Sequence, residues 1–420
     1  TGLYGSQTER GPGNGYDWPD YHKTMPQALQ KAGYHTAIIG KLHAFSGGTL
    51  AKYNLNDLEK HSHVWGFDTV YECSGTGMWS HISKNASKHG IKGCHYTDHL
   101  RSRGIYEKAL QSDVERQEVL HSNNGIEPYR KGVIEDIGDT QDGFVVKEIC
   151  KFVKDYDQDK PFFLHASFTY PHYPLDVPPD YFNLFKPEDM PPPIGVNDSG
   201  QIRLWQENRA MYMALATIAD EQIGKLMKAL EDKGILDDTV IIMTTDHGDM
   251  LGDHCLRHKL HPQEGSSRTP IIVRYPKFIP KSITLPGLAE SADIPHTILE
   301  IAGLSAEDRK KALPASPGLS FWDYCRNGGE KFRDSAFSEV RGESKMLRMG
   351  DWKYTRSPGK GGFLFNLAED PYEQKNLVDA PECSAKLKEM QDALIDRMAS
   401  LRIPPLQGKF RGDEIMSKIK

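Results

Sequence analysis

No apolar run in this 420-residue chain approaches the ~20 residues needed to span a bilayer, so a membrane-spanning helix is excluded. A basic excess is also lacking. The 52 Lys and Arg residues are outnumbered by 58 Asp and Glu, and the net charge of −6 argues against a general nucleic-acid binder. A local basic pocket for an anion stays open. Cysteine is scarce: Cys73, Cys94, Cys150, Cys255, Cys325 and Cys383 form no C-x-x-C pair and no zinc spacing. Their even number permits disulfides, with Cys73 and Cys94 as one local pair, while free thiols fit equally well and leave the redox compartment open. Internal repeats and low-complexity tails are absent. The chain opens on Thr1-Gly2-Leu3-Tyr4 rather than Met, so no signal peptide is visible and a segment upstream is expected. What remains is an ordinary globular composition, 26% charged and 38% hydrophobic, long enough for a large α/β domain and a smaller companion.

Residues 24–33 read as a short helix, with Thr24 as cap, Pro26 in the first turn and Gly33 as terminator. Ala37-Ile38-Ile39 follows at once as a buried strand. Residues 50–138 have weak periodicity and many His, Gly and Ser, and read as a long insertion with short helices on an active-site rim. Helices are expected over 141–155, 202–233 and 294–301, and buried strands over 162–168, 239–245 and 271–273. The Pro-rich stretch 171–193 is loop. This alternation implies an α/β fold with a mostly parallel central sheet flanked by helices, over residues 1–317. Short strands near 336–340, 346–349, 352–355 and 363–365, then a polar helix over 384–401, imply a smaller α+β subdomain of antiparallel strands and one helix over 318–420.

Chemistry-bearing residues gather just past the strands. Asp246 and His247 end a β-branched run, where ligands collect in parallel α/β sheets. The carboxylate suits Ca²⁺ or Mg²⁺ and the imidazole tolerates a transition metal, although a polar turn capped by Asp246 would look the same. Lys41 and His43 follow the 37–39 strand; alternation puts both on one face, where they could hold an anion and move a proton. In isolation a solvated lysine and a surface histidine explain them as well. His172 lies between Pro171 and Pro174, a fixed position for an acid or base or simply a packed loop histidine. Lys259 could meet a negative oxygen, whereas Glu264 and Arg268 read as structural pins.

Taken in order, these runs resemble the type I sulfatases of the alkaline-phosphatase superfamily. Gly33 to His43 fits the pattern G-Y-x-T-x-x-x-G-K-x-H, with Leu42 where an aromatic is more usual. Asp246-His247 fits the strand-end metal pair, with His where Asn is common, and His172 fits a Pro-His-x-Pro step. Lys259 to Pro270 fits a Gly-Lys and Glu-x-Ser-x-Arg-x-Pro run, with His258 replacing the glycine. Gly350 to Tyr354 and Leu364 to Glu373 resemble the closing sheet of these enzymes.

The resemblance implies hydrolysis of a sulfate ester, on a small molecule or an oligosaccharide, by a hydrated formylglycine with a divalent cation, Ca²⁺ or alternatively Mg²⁺. Asp246 and His247 would be metal ligands, Lys41 and Lys259 would bind sulfate oxygens, His172 would protonate the leaving alcohol, and His43 would help expel sulfate. Formylglycine arises in a C-x-P-S-R-like motif, and none of the cysteines lies in one, so the nucleophile and a first strand with paired aspartates are expected upstream of Thr1. Thr1-Gly2 looks like the Thr-Gly that follows that motif. Without that strand, a gap exposing apolar surface is expected within the sheet, and this chain alone is expected to be inactive. A phosphonate monoester or phosphodiester hydrolase of the same superfamily is one alternative reading; a non-catalytic binder of sulfated glycans is another. A periplasmic or secreted location follows from the family alone. Trp65, Trp79, His95 and Arg103 are candidates for the pocket entrance, although core packing explains the tryptophans equally well, and the oligomeric state is not legible.

Overall fold

The computed structural model describes residues 1–3, 7, 17–20, 22–50, 53–75, 93–122, 126–127, 129–340, 343–359 and 361–402. Thr24 caps the helix Met25–Lys31 through a reciprocal box with Gln27, and the helix feeds directly into β1 (His35–Gly40). This strand is the centre of a parallel sheet, with β2 (Thr69–Glu72) on one side and β3 (Phe162–Ser167) on the other. Being covered on both faces, β1 needs an unbroken apolar run, and Ala37, Ile38 and Ile39 are all buried. Gly40 pairs with Ser167, so the loops leaving β1 and β3 emerge at the same edge. That pairing demands glycine: Gly40 has φ +109° and an added Cβ would lie 1.9 Å from the Ser167 carbonyl oxygen.

A second pair of strands, β4 (Ile241–Thr244) and β5 (Ile271–Arg274), runs antiparallel. The α/β architecture expected from the sequence is present, but β5 departs from its parallel pattern. The protein has a mixed α/β fold in which helices Gln141–Asp155, Ser199–Asp232 and Asp293–Ile301 accompany the strands. A cavity of about 2610 Å³ lies against β3 and β4, and every residue of both strands lines it. Among the described residues, β3 pairs only with β1 and β4 only with β5. The Ile-Ile-Met-Thr strand β4, expected to be buried, is therefore only partly covered, and Met243 is 37% exposed.

The described part of the insertion holds more regular structure than its composition suggests. It contributes β2 and the helices Leu55–Ser62, His95–Ser102 and Tyr106–Ser122. Leu55, Leu58, Tyr96 and Leu100 join β1 and the helix Gln141–Asp155 in the largest core cluster. Trp65 is part of that core, edge-on to Trp18 and His61, rather than at a pocket entrance. His95 stacks on Tyr71 and contacts Glu59, and Arg103 pairs with Asp139, so neither lines the cavity. Trp79 lies outside the described residues. All six cysteines are free thiols, including the buried Cys73 and Cys94.

The last sheet is antiparallel throughout: β6 (Ala336–Val340), β7 (Ser344–Met349), β8 (Trp352–Ser357) and β9 (Gly361–Asn366) lie side by side in chain order. Phe337, Leu347, Tyr354 and Leu364 from its strands pack on Met390 and Leu394 of the helix Ser384–Ala399. Lys353, 1% exposed, projects from β8 to Glu264 and Glu373, which fastens this sheet to the turn ahead of β5. No helix among the described residues is long and apolar enough to cross a membrane.

Candidate active site

Lys41, His43, His172, Asp246, His247 and Lys259 all line the one cavity. They reach it from three separate loops, each starting at a strand end.

The first loop leaves β1. The Lys41 amide donates to the Ser167 carbonyl at 3.4 Å, continuing the ladder for one more residue. Leu42 is buried in the core, which accounts for an aliphatic residue there. His43 has φ +58°, an uncommon conformation for a non-glycine residue, and its amide donates to Glu72 Oε1 at 3.1 Å. Glu72 lies at the end of β2 and is buried. Burial, then the charge of Glu59, pushes its carboxyl up to about 8, against the pull of the His43 and Leu42 amides.

The second loop leaves β3. The His172 amide donates to the Thr169 carbonyl at 2.9 Å, and its ring Nδ1 lies 2.6 Å from the Tyr173 carbonyl oxygen. A carbonyl can only accept, so Nδ1 carries the proton of the neutral ring. Burial and then the positive charges of Lys41 and Lys259 depress the His172 pKa to about 4. The imidazole is thus neutral at physiological pH.

The third loop leaves β4 and returns to β5. His247 Nδ1 lies 2.8 Å from the Gly248 carbonyl oxygen, which fixes the same tautomer and leaves Nε2 as a lone pair. Nε2 is buried with no hydrogen-bond partner and sits 3.3 Å from Asp246 Oδ2. Burial would raise the Asp246 carboxyl, but its interactions with His247, Lys41 and Lys259 outweigh it and the pKa is lowered. Farther along, Asp249 Oδ1 accepts from the amides of Leu251 and His258, and the Met250 amide donates to the His258 carbonyl. This fold-back carries Lys259 towards Asp246. Leu251, His254, Cys255, His258 and Leu260 all have positive φ, a local concentration of backbone strain of the kind functional loops hold. The His258 ring meets Tyr173 edge-on at 4.6 Å, joining the third loop to the second.

The electrostatics connect all three loops. Burial lowers the Lys41 pKa and Lys259 lowers it further, while Asp246 and Asp142 act in the opposite direction. Glu264 behaves as the structural pin expected of it, accepting from Arg348 and Lys353, while Arg268 lines the cavity. Sequence reasoning missed two buried carboxylates, Asp142 and Glu72, whose importance comes from the loops they hold. Among the described residues no third Asp, Glu, His or Cys joins Asp246 and His247 in a metal-holding group. An unpaired imidazole nitrogen beside a carboxylate oxygen is nevertheless a donor set that fits a divalent cation.

Comparison with known proteins shows the family and the fold. The sulfatase family model matches residues 1–304. An arylsulfatase of Clostridium perfringens is 27% identical, over 95% of this chain and 81% of its own. Among solved structures, the phosphonate monoester hydrolase of Agrobacterium radiobacter superposes with a TM-score of 0.72 at 21% identity, covering 95% of this chain and 84% of that one. A protein in complex with its substrate D-glucosamine-2-N,6-O-disulfate gives 0.68 at 20% identity, with coverages of 92% and 84%. With a match over nearly three quarters of its length, this chain belongs to the sulfatase family.

Proposed function

We propose that this cavity hydrolyses sulfate esters, with a sulfated carbohydrate as the substrate class. The observation that carries the reading is the convergence of two lysines, a carboxylate–imidazole pair and the half-buried His172 on one cavity. Lys41 and Lys259 bind sulfate oxygens as fixed cations in a partly desolvated site, where such charges act more strongly than in water. Asp246 and His247 are the side chains that would hold a divalent cation, Ca²⁺ by preference for oxygen ligands or Mg²⁺, and the cation would offset charge on the sulfate oxygens. The family's nucleophile is formylglycine, which supplies attack at sulfur. No Cys-x-Pro-Ser-Arg run occurs within residues 1–420, and we assign that group to polypeptide outside them.

His172 protonates the leaving alcohol. Burial first, and Lys41 and Lys259 after it, hold its pKa down; a sulfate anion between the lysines offsets the second part and moves His172 towards the protonated form that an acid needs. His43 would accept the proton of the nucleophile's remaining hydroxyl as the bond to sulfate breaks and sulfate departs. The named relatives support a sugar substrate: an ulvan-active sulfatase matches over 84% of this chain at 25% identity. A secreted or periplasmic setting accords with such substrates.

The likeness to a phosphonate monoester hydrolase favours a second reading, in which phosphonate monoesters or phosphodiesters are cleaved at the same cavity. Turnover of aryl sulfate, aryl phosphonate and aryl phosphodiester by the protein at native length separates the two. Sulfate turnover exceeding the others supports the first reading; faster phosphonate or phosphodiester turnover overturns it in favour of the second.

A further inference from the structure

A buried carboxylate outside the loops just described holds one of them in place. Asp142 lies in the first turn of the helix Gln141–Asp155 and is wholly buried. Its Oδ1 accepts from the Thr169 amide at 2.8 Å and from the Thr169 hydroxyl at 2.7 Å. Its Oδ2 accepts from the Tyr170 amide at 2.8 Å. The carbonyl of Thr169 in turn accepts from the His172 amide at 2.9 Å. An unbroken path of hydrogen bonds therefore runs from Asp142 through Thr169 to the backbone of His172.

Two further features make this more than a helix-to-loop staple. Burial raises the Asp142 pKa, and the bonds from Thr169 and Tyr170, the charge of Lys41 and the electropositive first turn of the helix act against it. The Asp142 charge also faces Lys41, on the loop from β1, and favours its protonated form. Asp142 thus bears on both the cation that would hold a sulfate oxygen and the histidine that would protonate the departing one. We propose that Asp142 is a positioning residue for ester cleavage, fixing His172 relative to an ester held at Lys41. The proposal rests on the assignment of His172 as the acid, and its test separates the two.

Hydrogen exchange reads the loop in the 420-residue chain itself, without turnover. Loss of hydrogen bonds to a charged acceptor, worth about 1.5–3 kcal/mol each, should speed exchange at Thr169 and Tyr170 at least about tenfold in Asp142→Ala. Asp142→Asn keeps an acceptor for Thr169 but offers Tyr170 an amide group that cannot accept, and should free Tyr170 alone; it also serves if the alanine variant fails to fold. At native length, both variants should lose activity on alkyl sulfates about tenfold more than on activated aryl sulfates, following His172→Ala, because only poor leaving groups need the proton. A folding defect would lower both rates equally. Unchanged exchange at Thr169 and Tyr170 overturns the proposal, as does equal loss on both esters when His172→Ala separates them. If His172→Ala itself fails to separate them, the acid assignment falls and the positioning role falls with it.

Discussion

Lys353 Nζ lies 2.8 Å from Glu264 Oε1 and 2.8 Å from Glu373 Oε1, with almost no access to solvent. Glu264 precedes β5 and Glu373 follows β9, so one ammonium group bonds the antiparallel sheet to the α/β part. Removing one member of a buried ion pair leaves an uncompensated charge, at a cost of about 3–5 kcal/mol. Lys353→Ala should therefore lose stability of that order in chemical denaturation. A change under about 1 kcal/mol, the level of an exposed pair, would show that solvent already screens this contact.

The lysines are proposed to bind the anion together. Lys41→Ala and Lys259→Ala should each weaken inhibition by free sulfate about 10- to 100-fold, the equivalent of a lost charge-assisted hydrogen bond. Sulfate affinity unaffected in both variants would place the anion elsewhere.

His172 should respond to the same ion. Adding sulfate to the metal-free chain should move its titration upward from about 4 towards the usual histidine range, followed by NMR of the imidazole. A titration indifferent to saturating sulfate would separate His172 from the anion site.

Glu72 makes stability depend on pH. Its carboxyl titrates near 8 in the folded chain against an ordinary value of 4.5, so the folded state holds a proton that the unfolded state has released. This contribution is complete below 4.5 and is lost as pH rises through 8. Glu72→Gln cannot ionise, so its melting temperature should fall less steeply over that window. Parallel curves for both proteins would show that Glu72 is ionised throughout.

The metal pair predicts a direct measurement too. Asp246→Ala and His247→Ala should each reduce bound divalent cation in the protein at native length, assayed by elemental analysis after dialysis. Second-sphere losses alone reach about 10- to 100-fold in affinity, and a ligand should cost no less.

Much of the fold was legible because its signals are local. Thr24, Pro26 and Gly33 bracket the first helix within ten residues, and the helix Gln141–Asp155 shows both its cap and its apolar side in one window. The antiparallel sense of β4 and β5 was not legible, since nothing in Ile271-Ile272-Val273 records which way its neighbour runs. The helix Tyr106–Ser122 was missed because its apolar positions make no clean stripe. The site divides along the same line. Residues announced by a motif at a strand end, such as Lys41 and His172, could be named from the sequence and line the same cavity. Asp142 and Glu72 could not, because they act on backbone amides 27 and 29 residues away.

Among the described residues one flank of β3 and one of β4 carry no pairing strand, and these flanks bear on how this chain should behave in solution. Peptide groups that lack a ladder neighbour recruit one from any extended polypeptide, including another molecule of the same kind. Concentrated samples are thus expected to oligomerise by strand addition at the very rim of the reaction chamber, so that self-association and loss of ligand access should rise together.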